Sequence, residues 1–316
     1  KKSDKKIMKI LITGASGFLG KFLHKKLKSL GNEVIGINSK SNDLTKENTL
    51  DEFNNVKFDQ IFHLAAWTQA GDFCLRHPAE QWIINQKMST NILSWWHKFQ
   101  PQAKMIAMGT SCSYDPDLPH VEENYLKGKP IDSLFTYAMT KRMLLTGLMA
   151  LNKQYGLNYL YLIPSTLYGP EYHLDGRQMH FVFDLMRKII RGSLYDEKVA
   201  LWGDGFQKRE LVHVDDFIDI MLKLVESQNN TLINIGSGKD FSIREFASKI
   251  SNIVRYDENK IFYDISKYVG AKSKILVVNK LREILPGFKM KSLDEGLQDT
   301  AKWFSENKEK LLISKL

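Results

Sequence analysis

Residues 9–20, KILITGASGFLG, constrain what this chain can fold into more than any other stretch. An apolar run, Ile10, Leu11 and Ile12, enters a turn punctuated by Gly14, Gly17 and Gly20, and residues 21–30 then carry apolar side chains at helical spacing. Strand, glycine turn and helix in that order let a pyrophosphate reach backbone N–H groups at a helix N-terminus, because no Cβ stands at the points of closest approach. The spacing is GxxGxxG rather than GxGxxG. A turn that merely joins a strand to a helix has the same letters, so position decides: this one follows the first strand and opens a helix.

The rest of the chain repeats the alternation. Strand-like segments lie at 33–38 (EVIGIN), 59–66 (DQIFHLAA), 104–108 (KMIAM) and 157–163 (LNYLYLI), with long helical patterns at 79–99 and 133–155. Alternating strands and helices predict an α/β fold with a doubly wound parallel sheet of the Rossmann kind. Beyond Pro164 the texture changes: 165–180 reads as loop, 181–190 as helix, and 199–214 as short strands around a turn at 203–205. Helices are expected at 215–225, 242–254 and 293–306, and 231–235 can return to the sheet. The expected division is a dinucleotide-binding domain over 1–165, rejoined by parts of 210–236, and a smaller C-terminal α/β substrate lobe mainly over 166–316.

Composition excludes several classes. With 43% hydrophobic residues in 316, the chain can bury a large core. Cys74 and Cys112 are too few for a disulfide framework and suit a reducing cytoplasm. No apolar run reaches the about 18 residues of a membrane span, and the N-terminal stretch lacks the apolar core of a signal peptide. The net charge of +9 comes largely from lysines scattered along helical stretches. Without a basic stripe or interleaved exposed aromatics, nucleic acid is not an expected partner; an anionic small molecule is. No metal site is expected.

Two groups of residues carry chemistry. Tyr137 and Lys141 form a YxxxK pair on one helix face, where an ammonium can favour the phenolate of a group that otherwise titrates near 10. Thr110, Ser111 and Cys112 follow the KMIAM strand, and the C-terminal end of a parallel strand is where this architecture holds its ligands. A hydroxyl there can bond a substrate oxygen that becomes carbonyl or alkoxide during hydride transfer.

These residues accumulate into a resemblance. TGASGFLG (13–20), HLAA (63–66), Asn85, the Thr110/Ser111 pair, Tyr137 with Lys141, LYGP (167–170) and RELVHVDD (209–216) resemble, nearly end to end, the extended short-chain dehydrogenase/reductases of the nucleotide-sugar epimerase/dehydratase class. Within that class NDLT (42–45), GTSCSY (109–114), PSTLYGP (164–170), MHFVFDLMRK (179–188) and WGDGFQKRELVHVDD (202–216) are most similar to the GDP-L-fucose synthase branch.

The resemblance implies roles. Thr110 and Ser111 match the catalytic hydroxyls, Tyr137 the group that exchanges a proton at the C4 oxygen, and Lys141 the residue that holds the nicotinamide ribose and lowers the tyrosine pKa. Cys112 and His180 match an acid/base pair that exchanges protons at C3 and C5 beside a 4-keto group. Arg187, Arg209 and Lys274 fall on or near diphosphate-binding positions, and Trp202 fits either a border of the sugar or base or simple packing. The dinucleotide, NAD or NADP, is implied to meet Gly14, Ser16, Gly17, Phe18, Leu19 and Gly20 at the turn. Asn38, Ser39, Lys40, Asp43 and Leu44 match the adenosine end, and Leu64, Ala65, Ala66, Asn85, Pro164 and Thr166 the remaining wall. Asn38, Ser39 and Lys40 stand where an acid would repel a 2′-phosphate, which favours NADP slightly. The implied partners are a nucleotide sugar, GDP-linked, and a second copy of the chain docked through 79–99 and 133–155; Trp95, Trp96, Met143 and Met149 fit either that interface or the core.

Departures bear on the sugar. AAWTQAGDF follows HLAA where the branch has a glycine-rich turn, Thr166 stands at a usual asparagine, and Ser273 and Val277 replace an expected arginine and aspartate. The sugar can be a hexose, deoxyhexose or heptose. Ser111 and Cys112 replace the acids that a 4,6-dehydratase places after the threonine, so dehydration is not expected. Two rivals share the motifs: a 4-dehydrogenase or epimerase that retains its NAD(H), and a non-catalytic dinucleotide sensor. The Tyr137/Lys141 pair argues against the sensor.

Overall fold

A computed structural model describes residues 6–312 except 268 and 271. The chain opens with β1 (Lys9–Thr13), α1 (Phe18–Ser29) and β2 (Glu33–Ile37), and crosses turns to β3 (Gln60–His63). The short α2 (Phe73–Arg76), α3 (Pro78–Phe99), β4 (Lys104–Met108), α4 (Phe135–Tyr155) and β5 (Tyr159–Pro164) follow. Then come β6 (Thr166–Tyr168), α5 (Phe181–Tyr195), β7 (Ala200–Trp202), β8 (Lys208–His213), α6 (Val214–Ser227) and β9 (Thr231–Ile235). The order closes with β10 (Asp240–Ser242), α7 (Ile243–Val254), β11 (Phe262–Asp264), α8 (Asn279–Ile284) and α9 (Leu293–Glu306).

The main sheet has the order β2-β1-β3-β4-β5-β9, parallel throughout. Its strands are continuous apolar runs, Ile10–Ile12 in β1 and Tyr159–Ile163 in β5, as a sheet covered on both faces requires. The β1–α1–β2 and β3–α3–β4 crossovers run in opposite directions across the sheet. With both right-handed, α1 and α3 lie on opposite faces, and α1 packs along α6 while α3 packs along α4. This is the doubly wound Rossmann arrangement, and its direction reverses between β1 and β3. The crevice above the C-terminal ends of those two strands is the ligand position such sheets provide.

Residues after β5 build a second core from Tyr168, Phe183, Met186, Phe246 and Phe304. It is covered by the β10-β8-β6 sheet and the β11-β7 pair. Capping boxes fix two of its helices: Ser242 with Glu245 starts α7, and Ser292 with Glu295 starts α9. No helix among the described residues is long and apolar enough to cross a membrane.

Two expectations need correction, and one open alternative is decided. The strand expected over 59–66 ends at His63, because the Thr13 hydroxyl oxygen takes the N–H groups of Leu64 (3.1 Å) and Ala65 (3.2 Å) and bends the chain out of the sheet. The segment expected as loop at 165–180 contains β6, which pairs in parallel with β8. Trp95 and Trp96 are core residues, not interface: their indole N–H groups donate to Asn54 Oδ1 (2.8 Å) and the Ala103 carbonyl (2.9 Å), whereas Met143 and Met149 are exposed.

Candidate active site

The glycine turn passes a steric test for a dinucleotide. Gly14 has φ +68, and a Cβ there would lie 2.8 Å from Ala65 N; a Cβ at Gly20 would strike Gly14 O. At Gly17 the nearest atom to an added Cβ is Gly14 O at 3.3 Å, with nothing else within 4 Å, so this side of the turn is open. The Phe18 and Leu19 amides that follow belong to the first turn of α1, whose N–H groups have no intrahelical acceptor. Thr13 locks the turn to the next strand: having accepted the Leu64 and Ala65 N–H groups, its hydroxyl donates to His63 Nδ1 at 2.8 Å. Burial, and then the Lys141 charge, push His63 down to about 3, which keeps it the neutral acceptor this network needs. The Phe18 ring packs where the two cores meet, edge-on to Tyr172 and Phe183, and its backbone faces the turn.

At the adenosine end, Asn38 Oδ1 accepts from Lys40 N (2.9 Å) and Ser41 N (3.2 Å), forming a side-chain-closed turn that leaves Ser39 and Lys40 exposed. Asp43 bonds the Thr45 hydroxyl and N–H, which holds its carboxyl below the usual range. Leu44 is buried, and its carbonyl takes Asn91 Nδ2 at 2.8 Å. The Asn85 amide is bound to the Trp67 N–H and carbonyl and to Gln81 O, so it clamps the chain beyond Leu64–Ala66. Pro164 and Thr166 flank Ser165, whose N–H is taken by Ile235 O at 3.0 Å on β9.

Tyr137 and Lys141 share a face of α4, with Lys141 Nζ 5.9 Å from the centre of the Tyr137 ring. The expected lowering of the phenol pKa is not found. Burial pushes Tyr137 well up, with Cys112, Cys74 and Tyr125 adding to it. Lys141 Nζ donates to the Met108 carbonyl at 3.0 Å, and burial lowers it to about 8. Tyr137 is thus held as a neutral phenol. Thr110 Oγ1 accepts the Cys112 N–H at 3.3 Å and caps the helical turn Ser111–Ser113, so these three residues stand together beyond β4.

Residues far apart in sequence meet here. Lys274 Nζ lies 3.9 Å from Cys112 Sγ, and its charge, after burial, lowers the pKa of His180. His180 is exposed and stands at the N-terminus of α5. Arg209 is tied to the carbonyls of Lys208 (2.7 Å) and Val269 (3.2 Å), and lies within electrostatic reach of Cys112. Arg187 is paired with Asp184 at 2.6 Å, so its charge is already partly neutralised. Trp202 stands exposed at the end of β7. Cys74 is buried beside Gln81 and Thr68, and it adds to the upward push on Tyr137.

Two supporting residues were missed. The Arg142 guanidinium donates to the carbonyls of Ser113, Lys127 and Gly128 and pins the loop after Cys112. Buried Glu210 accepts from Gly238 N (2.6 Å) and Leu276 N (3.0 Å), anchoring the segment that carries Lys274. The signal available in each case was a charged residue inside a pattern otherwise reading as core.

A family model, the NAD dependent epimerase/dehydratase family, matches residues 10–236. The GDP-L-fucose synthase of Escherichia coli strain K12 is 28% identical over 318 residues, covering 96% of this chain and 98% of that protein. The GDP-L-colitose synthase of Yersinia pseudotuberculosis is 28% identical over 312 residues, covering 95% and 99%. A crystal structure of a GDP-L-fucose synthetase from Naegleria fowleri bound to NADP superposes with a TM-score of 0.83 at 24% identity, covering 97% of this chain and 98% of that one.

Proposed function

The chain belongs to the NAD-dependent epimerase/dehydratase family, and from that premise we propose that it reduces C4 of a GDP-linked 4-keto sugar and exchanges protons at C3 and C5 of the same sugar. The observation that carries this reading is the convergence of Tyr137, Cys112, Lys274 and His180 at one cleft. Hydride transfer alone has no use for a thiol and an imidazole; epimerisation beside a ketone needs one group to take a C–H proton and another to return it. The named relatives are synthases of GDP-L-fucose and GDP-L-colitose, which supports the nucleotide.

Bound in the glycine turn, NADPH supplies the hydride that reaches C4. Every other step falls to this chain. Thr110 and Ser111 hydrogen-bond the C4 oxygen and orient it. Tyr137, kept protonated by burial, donates its phenolic proton to the oxygen as the carbonyl becomes an alcohol. Cys112 and His180 pass protons at C3 and C5, where the adjacent ketone acidifies the C–H bonds. Lys274 and Arg209 face the diphosphate, for which guanidinium and ammonium groups are suited. The absence of an acid at Asn38, Ser39 and Lys40 admits the 2′-phosphate of NADPH.

The test is a pair of variants assayed with a GDP-linked 4-keto sugar and NADPH in deuterated water. Tyr137→Phe is expected to abolish reduction while NADPH still binds, and Cys112→Ser to suppress deuterium uptake at C3 and C5 while sparing hydride transfer. Substantial turnover by the first, or undiminished uptake by the second, would remove the corresponding role.

A further inference from the structure

Tyr172 sits in the loop between β6 and α5, in a stretch used by neither the glycine turn nor the reacting groups. Its ring is 7% exposed and stacks on Phe183 at 3.6 Å with 8° between the planes; Phe18 meets it edge-on at 5.3 Å. Phe18 is the first residue of α1 and Phe183 lies in the first turn of α5. One ring therefore ties the helix that opens at the glycine turn to the helix that opens at His180. The Tyr172 hydroxyl accepts the His180 backbone N–H at 3.4 Å, while the His180 carbonyl accepts from Phe183 N (3.0 Å) and Asp184 N (3.1 Å). Both backbone groups of His180 are thus held.

A second tie runs alongside. Lys21 Nζ, on α1, donates to the Glu171 carbonyl at 3.0 Å. Glu171 has φ 62, a left-handed conformation that a residue with a Cβ keeps only when its surroundings hold it there. The loop is consequently fixed from the dinucleotide helix on one side and from the second core on the other.

We propose that Tyr172 is a positioning residue for His180: it sets where the imidazole stands relative to Cys112 and couples that position to α1. The proposal rests on the proton-exchange role given above to His180. A tyrosine that only filled the second core could lose its hydroxyl without consequence for chemistry; one that positions His180 could not.

Tyr172→Phe keeps the stack on Phe183 and removes only the acceptor. The protein is incubated in deuterated water with a panel of GDP-linked 4-keto hexose, 6-deoxyhexose and heptose, and deuterium at C3 and C5 is read by mass spectrometry. Beside it run NADPH-dependent reduction of a sugar already in the product configuration, and a thermal melt. Exchange is expected to fall about 5- to 10-fold, the effect of one hydrogen bond, with hydride transfer within about 2-fold of wild type and the melting temperature within about 2 °C. Tyr172→Leu, which also loses the stack, is expected to exchange more slowly still. Exchange at the wild-type rate in Tyr172→Phe overturns the assignment. So does an equal fall in exchange and hydride transfer, since that marks general disruption of the cleft. A wild type that exchanges no member of the panel overturns the role of His180 and this assignment with it, and the wild-type measurement alone tells that failure from the other two.

Discussion

Gly17 and Gly20 belong to the same turn for different physical reasons, and one pair of variants separates them. An alanine at Gly20 drives its Cβ into Gly14 O and to 2.8 Å from Ala15 Cα, both backbone atoms that cannot rotate aside. The turn must shift, weakening the bonds from Gly17 N to Gly14 O and from Ala15 N to Ile37 O, each 3.0 Å. Overpacking of this kind costs about 1–3 kcal/mol, offset by about 0.5–1 kcal/mol that alanine gains over glycine within a helix. Gly17 has φ −72 and ψ 172, a conformation open to any residue, and its added Cβ meets only Gly14 O. Losing a glycine N-cap there costs about 0.5–1 kcal/mol, so Gly17→Ala should melt within about 3 °C of wild type. Its methyl nevertheless occupies the open side of the turn. Blocking one charge-assisted hydrogen bond from the turn to the pyrophosphate removes about 1.5–3 kcal/mol, which raises the NADPH Kd about 10- to 150-fold. Fluorescence titration with NADPH and a thermal melt on both variants decide the matter. A Gly17→Ala protein that melts like wild type and binds NADPH within about 3-fold of wild type would refute the placement of the pyrophosphate.

Three further expectations follow from the site and its supports. Lys141, lowered by burial to about 8, loses its charge above that pH, so hydride transfer should decline steadily as pH rises past it; a profile flat to about pH 9.5 would contradict its role. The sign for stability is the reverse: between the lowered and ordinary lysine values the unfolded chain binds more protons, so this residue's contribution to folding rises with pH across that window, and denaturant titrations of wild type and Lys141→Met at either end should show the gap between them closing. Arg142→Met strands the carbonyls of Ser113, Lys127 and Gly128 and should cost about 2–4 kcal/mol in urea unfolding; a loss below about 0.5 kcal/mol would show that water replaces the guanidinium. The exposed faces of α3 and α4, carrying Ile83, Met143 and Met149, are expected to dock a second copy, giving a dimer mass by light scattering that Met143→Lys with Met149→Lys halves.

What could be read from sequence was what the chain encodes within one local element. The glycine turn is legible because strand, turn and helix are contiguous, and Tyr137 with Lys141 because one helical period joins them. The α9 bounds, Leu293–Glu306, match the expected span because Ser292 and Glu295 cap the helix by themselves. Legibility stops where a residue's partner lies in another element. Helical spacing shows that Phe18 is apolar but not that its ring packs against both cores, meeting Tyr172 and Phe183 of the one built after β5. Asn85 is visible as a polar residue in α3, whereas its use depends on the bend that Thr13 imposes at Leu64 and Ala65 and that brings Trp67 within reach. β6 is three residues long and exists because β8 lies beside it. The 3.9 Å approach of Lys274 to Cys112 spans 162 residues of sequence and depends on Glu210 holding Leu276. The reacting groups therefore announce themselves by type and local spacing, while their distances are set by buried polar residues of the scaffold, and substitutions at Arg142, Glu210 or Tyr172 should alter chemistry without touching a reacting atom.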